Sequence, residues 1–327
     1  MPTNRAADSV RPIEPSDLAS ASRLLAERHR RHRLAEPLLD RAYEDPDTMR
    51  PEIEALLNSD KADGWVTVRD GAVAAYLIGI AKTELIWGQN VWVEAAGHAA
   101  EDPALIRDLY AVASAAWVGA GRTNHHVLVP ATDAGYVDAW FTLDFGQQHL
   151  HAVVEAPGAS FGVLPRSELI VRLATLDDVP PLIQLERLLP LHLAGSPVFS
   201  RLGVDPDDEI EAELRADLVD PKYRFFVAEH EGRVIGTSLG CSVELSTGSS
   251  GVIRPDNAGY LAYAAVLPEA RGLGAGSALG DAVLAWSRDE GYRSIVTDWR
   301  STNIEADRAW RGMGFRPTSR RLHRAIT

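Results

Sequence analysis

At 327 residues and 46% apolar composition, the chain exceeds the roughly 100 to 200 residues of a typical domain, so two domains are expected. A net charge of −13 and a pI near 5.2 exclude the basic surface on which unspecific binding to nucleic acid or anionic membrane depends. The single cysteine, Cys241, rules out an internal disulfide framework and fits a reducing, cytoplasmic compartment, while the absence of any apolar run near the roughly 20 residues of a membrane span predicts a soluble protein.

In chain order, Val10-Arg11-Pro12 is followed by Ser16-Asp17-Leu18, a helix N-cap signal opening an apolar-periodic segment to about Arg33. The run Arg28-His-Arg-Arg-His-Arg33 reads as a solvated helix end, with an acidic partner surface as the alternative. A hairpin is expected over Trp65 to Ile80, turning at Asp70-Gly71. A strand over Val91 to His98 then leads, past Glu101 and Asp102, to a helix beginning near Ala104. The histidine pairs 29/32, 125/126 and 149/151 show no ligand spacing, so packing or solvated histidines are expected and no metal.

About 160 residues later the pattern returns. Val171-Arg172-Leu173 and Thr175-Leu-Asp-Asp178-Val repeat the opening, and Phe225 to Gly240 repeats the hairpin, turning at Glu231-Gly232. Asp307-Arg-Ala-Trp310 through Phe315 matches Asp138-Ala-Trp140 through Phe145. A duplication is expected, with residues 1–160 and 166–327 as the two domains and the boundary near Pro165 in a Gly- and Pro-rich stretch. For the second half the reading is strands at 169–174, 224–230, 233–246, 259–267 and 294–299, helices near 177–190, 207–219, 274–290 and 303–313, and a final hairpin. That order implies a mixed α/β sheet.

The segment Tyr260 to Gly291 carries the chemistry. An apolar strand ends at Val266-Leu267-Pro268, and Arg271, Gly272, Leu273, Gly274, Ala275, Gly276 and Ser277 turn directly into a helix with a buried stripe at Leu279, Ala282, Val283 and Trp286. Successive amides without intervening Cβ atoms, aided by a helix N-terminus, can cradle a pyrophosphate. The alternative is a tight turn whose glycines only permit close packing. The loop lies mid-domain rather than after a first strand, and it has no Gly-Lys-Ser/Thr; both points disfavour dinucleotide and P-loop folds.

Here the chain resembles the GCN5-related N-acetyltransferase superfamily. Its coenzyme loop, Gln/Arg-x-x-Gly-x-Gly/Ala, appears as Arg271-Gly-Leu-Gly274-Ala-Gly276, and its second signature as Asn303-Ile-Glu-Ala306-Asp-Arg-Ala-Trp310-Arg-Gly-Met-Gly314-Phe315. The resemblance implies two tandem domains of this type and acetyl-CoA as acyl donor. It further implies that backbone groups of Ala264 and Val266 pair with the pantetheine arm, that the amides from Arg271 to Ser277 hold the pyrophosphate, and that Asn303 and Trp310 border the coenzyme. Asn303 equally fits an ordinary N-cap. The N-terminal copy has no such loop, and Glu101 and Asp102 would repel a phosphate there, so one coenzyme per chain is expected.

Acylation of an amine needs a base and an aligned thioester, not a covalent enzyme intermediate. Asp298, Tyr260 and Glu186 are the candidate bases or relays, each with a packing, solvated or ion-pair alternative. Trp310 stands where many members carry an acidic tyrosine, and an indole N–H is only a donor. The expected acceptor is a small-molecule amine or a peptide N-terminus. A non-catalytic acyl-CoA-binding or interaction protein, and a tandem enzyme similar to mycothiol synthases, remain open.

Overall fold

The computed structural model describes residues 9–84, 86–158, 169–200, 203–246 and 251–327. They group into two compact units: Met1–Leu150 with Ser250–Arg254 and Pro317–Thr327, and His151–Ser249 with Pro255–Arg316. The expected boundary near Pro165 lies outside the described residues.

Unit 1 starts with β1 (Ser9–Pro12), α1 (Leu18–Ala35), α2 (Pro46–Leu57), β2 (Ala62–Arg69), β3 (Ala72–Glu84) and β4 (Gly88–Val93). It continues through β5 (His98–Ala100), α3 (Leu105–Gly119), β6 (Asn124–Pro130) and α4 (Ala134–Phe141). Next, β7 (Gly146–Glu155) passes into unit 2 at His151. Unit 2 then runs β8 (Leu169–Leu173), α5 (Val179–Ala194), α6 (Asp207–Val219), β9 (Arg224–His230), β10 (Arg233–Ser242), β11 (Ala258–Val266), α7 (Ala275–Asp289), β12 (Ser294–Arg300) and α8 (Ile304–Gly312). Its sheet order is β7-β12-β11-β10-β9-β8. The last strand, β13 (Arg316–Ala325), pairs antiparallel with β6 from Ser319↔Pro130 to Ala325↔Asn124, so the chain's end completes the sheet of unit 1.

Both units share the order strand, two helices, strands, helix, strand, helix, with three strands between the second and third helices in unit 2 and four in unit 1, where β4 and β5 stand in the place of β11, and the likeness extends to single residues. Arg11 clamps Asp17 at 2.7 and 2.8 Å, just as Arg172 clamps Asp178 at 2.8 and 2.7 Å. Each bidentate pair fixes the chain entering the first helix. The hairpin turns sit at left-handed Asp70-Gly71 (φ 50, 80) and Glu231-Gly232 (φ 50, 75). Each hairpin then bulges at the same step, where Val68↔Val73 passes to Thr67↔Ala75 and Glu229↔Val234 passes to Ala228↔Gly236. On the other side Ala75 pairs with Ala100 and Gly236 with Val266. By register, therefore, His98, Ala99 and Ala100 occupy the places of Ala264, Ala265 and Val266.

Four expectations need correction. The final hairpin is one unbroken strand, because Arg316–Ala325 contains no Gly, Asn or Asp at which a two-residue turn could reverse it. The strand expected to run to 246 stops at Ser242, whose side chain caps a 3-10 turn over Val243–Leu245. The segment Val91 to His98 is not one strand; it breaks after Val93 into a 3-10 turn and resumes as β5 on β3. Lastly, Arg28, His29 and His32 are buried rather than solvated, since α1 continues to Ala35 and brings that face inward.

Candidate active site

Strands β11 and β12 pair in parallel only from Ala258↔Ser294 to Tyr260↔Val296 and then part. A cleft of about 510 Å³ opens there, and Ala264, Val266, Arg271, Gly272, Gly274, Ala275, Gly276, Ser277, Asn303 and Trp310 all line it. Leu273 does not; its side chain points to solvent, 43% exposed. Gly272 and Gly274 adopt φ of 87° and 84°, a left-handed region that costs other residues roughly 1–2 kcal/mol. Gly274 is the N-cap of α7 and has no side chain with which to cap it. The first turn of α7, Ala275 to Ser277, lines the cleft, so the cleft lies at the helix's positive end. Of the predicted stripe of α7, Leu279, Ala282 and Val283 are buried and Trp286 is half-buried.

Asn303 caps α8, its Oδ1 accepting from the Ala306 amide at 3.2 Å and lying 3.3 Å from His192 Nε2. Arg271 reaches across to Glu305 at 3.1 Å, with both groups well exposed. Trp310 is 8% exposed and stands edge-on to Phe315 at 6.1 Å. Its indole packs, and its N–H is a hydrogen-bond donor, not an acid able to protonate a leaving thiolate.

The three candidate bases fall in two places. Tyr260 Oη donates to Asp298 Oδ1 at 2.5 Å. Burial first, and then the neighbouring Asp298, push the Tyr260 phenol far above its ordinary pKa, so it remains a proton donor. Neither residue lines the cleft. Glu186 lines a second cavity of about 300 Å³ together with Glu213, Asp217 and Tyr263. Burial, followed by repulsion from Glu213 and Asp217, raises its pKa to about 7. Leu189 lines both cavities. Cys241 is buried, and its thiol is pushed up to about 11, chiefly by desolvation.

Sequence reasoning missed His192, Glu213, Asp217 and Tyr263. The α6 carboxylates at 213 and 217 are one helical turn apart, which puts them on a common face. Only tertiary packing aims that face at Glu186. Among the described residues no group of three metal-ligating side chains forms, and no helix is long and apolar enough to cross a membrane.

Residues 191–315 match the acetyltransferase (GNAT) family. An aminoglycoside N(6′)-acetyltransferase type 1 from Stenotrophomonas maltophilia is 35% identical over 123 residues, which span 37% of this chain and 78% of that protein. A GCN5-related N-acetyltransferase from Sphaerobacter thermophilus superposes with a TM-score of 0.59 at 14% identity, over 97% of this chain and 95% of that one. A GCN5-related glucosamine N-acetyltransferase region of a fungal multi-domain β-N-acetylglucosaminidase superposes at 0.56 and 12% identity, over 98% of this chain and 38% of that one. These structures share the mixed α/β fold over nearly the whole chain, and with the sequence match they show that the protein belongs to the acetyltransferase (GNAT) family and is an acyltransferase.

Proposed function

We propose that unit 2 transfers an acetyl group from acetyl-CoA to a small cationic amine, and that residues 1–160 are a copy of the domain at 166–327 that no longer binds coenzyme. The observation that carries this reading is the juxtaposition of an open strand-edge cleft ending in a left-handed glycine loop with an acidic cavity that shares Leu189 as a wall. The cleft fits the donor chemically. Ala264 and Val266, two residues apart on one strand, aim backbone groups the same way and can pair with the amides of a pantetheine arm. The loop and first-turn amides from Arg271 to Ser277 can hold the pyrophosphate without a side chain intervening. When bound, acetyl-CoA supplies the thioester carbonyl.

The acidic cavity suits the acceptor. Four carboxylate residues, Glu186, Asp205, Glu213 and Asp217, line about 300 Å³ against one cationic residue, Arg187, a volume at the small-molecule end of binding sites. An ammonium entering there relieves their mutual repulsion. Glu186, poised at about 7, accepts the proton that the ammonium must lose before its nitrogen can attack. Glu213 and Asp217 hold the positive charge during approach. Asp298 is held by Tyr260 and serves to position β12 beside the cleft. The likeness to an aminoglycoside N(6′)-acetyltransferase supports the same class of acceptor, a small molecule with several amines, over a peptide N-terminus. A screen of amines for thiol release from acetyl-CoA tests the reading: diamines and amino sugars should release thiol and monoamines poorly. Coenzyme binding without release by any amine would instead support an acyl-CoA-binding protein.

A further inference from the structure

We infer that unit 1 carries its own ligand: the side chains of Arg28 and Tyr136 stand on the strand edge where unit 2 offers its edge to the pantetheine arm. The inference rests on the reading of the unit 2 cleft given above. In unit 1, β4 and β6 pair from Asn90↔Asn124 to Val93↔Val127 and then part, as β11 and β12 do in unit 2. The residues that register with Ala264 and Val266 are His98 and Ala100. The His98 carbonyl and both the amide and the carbonyl of Ala100 are already taken. The Arg28 guanidinium donates to the carbonyls of His98 and Ala95. The Tyr136 hydroxyl accepts from the Ala100 amide at 2.6 Å and donates to the Ala100 carbonyl at 3.1 Å. Tyr76 takes the Ala96 carbonyl at 2.7 Å.

The two side chains come from matching positions. Arg28 lies as far beyond the clamped Asp17 as Leu189 lies beyond the clamped Asp178. Tyr136 stands at the capped amide of α4, where Asp133 accepts from it at 3.2 Å. Ala306 stands at the capped amide of α8, where Asn303 accepts at the same distance. Leu189 and Ala306 line the open cleft of unit 2, whereas Arg28 and Tyr136 are wholly buried in unit 1. A leucine, with no hydrogen-bonding group, and an alanine leave a groove; a guanidinium and a phenol fill it and bond to the strand edge. Leu25, at the position matching Glu186, is fully buried core, so the copy has also exchanged its candidate base for packing.

Amide hydrogen exchange on the full chain decides the point. Tyr136→Phe removes one hydroxyl and should make the Ala100 amide exchange at least about tenfold faster relative to the β2–β3 ladder, the effect of losing one buried hydrogen bond. An unchanged Ala100 rate would overturn the inference. Arg28→Leu/Tyr136→Ala installs the residues of unit 2. Titrated with acetyl-pantetheine, which needs no phosphate nest, it should take up a second, weaker equivalent where the parent takes one. One equivalent in the folded variant would contradict the inference, and if that variant does not fold the Tyr136→Phe exchange rate stands as the test. No uptake by the parent would instead count against the reading of unit 2.

Discussion

Tyr260 on β11 donates its hydroxyl hydrogen to Asp298 on β12 at 2.5 Å, just where the two strands cease to pair. A carboxylate so engaged is a weaker base than its position near a strand end implies, and Glu186 takes precedence. Asp298→Asn should therefore leave acetyl-CoA affinity unchanged and lower kcat by less than about tenfold. A loss of roughly 10²- to 10⁴-fold, the range for a positioned general base, would return that role to Asp298. Tyr260→Phe should cost about 1.5–3 kcal/mol in urea unfolding, as expected for a hydrogen bond to a charged acceptor.

Glu186→Gln should lower kcat by roughly 10²- to 10⁴-fold with little change in the KM for acetyl-CoA. It should also abolish the acid limb that the parent shows near neutral pH, because Glu186 must be deprotonated to act and its pKa is raised to about 7. Stability moves the other way. With the folded pKa above the unfolded one, the native state binds more protons between the two, so this group's contribution falls as pH rises through about 7. Thermal unfolding measured across that window should show the parent losing stability relative to the Gln variant.

Gly274→Glu should abolish coenzyme binding, because it places a carboxylate in the loop and a side chain at φ 84°. Gly274→Ala separates the two effects. It carries the backbone strain of roughly 1–2 kcal/mol without the charge, and it should bind more weakly than the parent but far better than the Glu variant. Equal affinities for all three would remove the loop from the site.

Strand β13 gives unit 1 the Ser319–Ala325 ladder and the fully buried Leu322. Deleting 317–327 should unfold unit 1, seen as loss of near-ultraviolet signal from its tryptophans. Leu322→Ala, a milder change, should cost about 2–5 kcal/mol. A truncated chain with native signal would show that β13 is dispensable to that sheet.

The repeated clamp and hairpin turn, the glycine loop and the order of elements were legible because each leaves a local trace: a repeated Arg-to-Asp spacing, a β-turn pair, a 3.6-residue stripe. The acidic cavity was not, since Glu186, Glu213 and Asp217 converge only when α5 and α6 pack. The role of Arg28 was misread for a related reason. In sequence it belongs to a run of charged residues, and only the parting of β4 and β6 exposes the carbonyls that draw a guanidinium into the interior. The last strand was read as a hairpin because its partner, β6, lies in the other half of the sequence, where local patterning has no reach.

Isothermal titration of the full chain with acetyl-CoA addresses the central claim most directly. An intact nest and open strand edge in unit 2, set against an edge in unit 1 already engaged by Arg28 and Tyr136, predict one equivalent per chain, lost on Gly274→Glu. Two equivalents per chain, or one that survives Gly274→Glu, would contradict it.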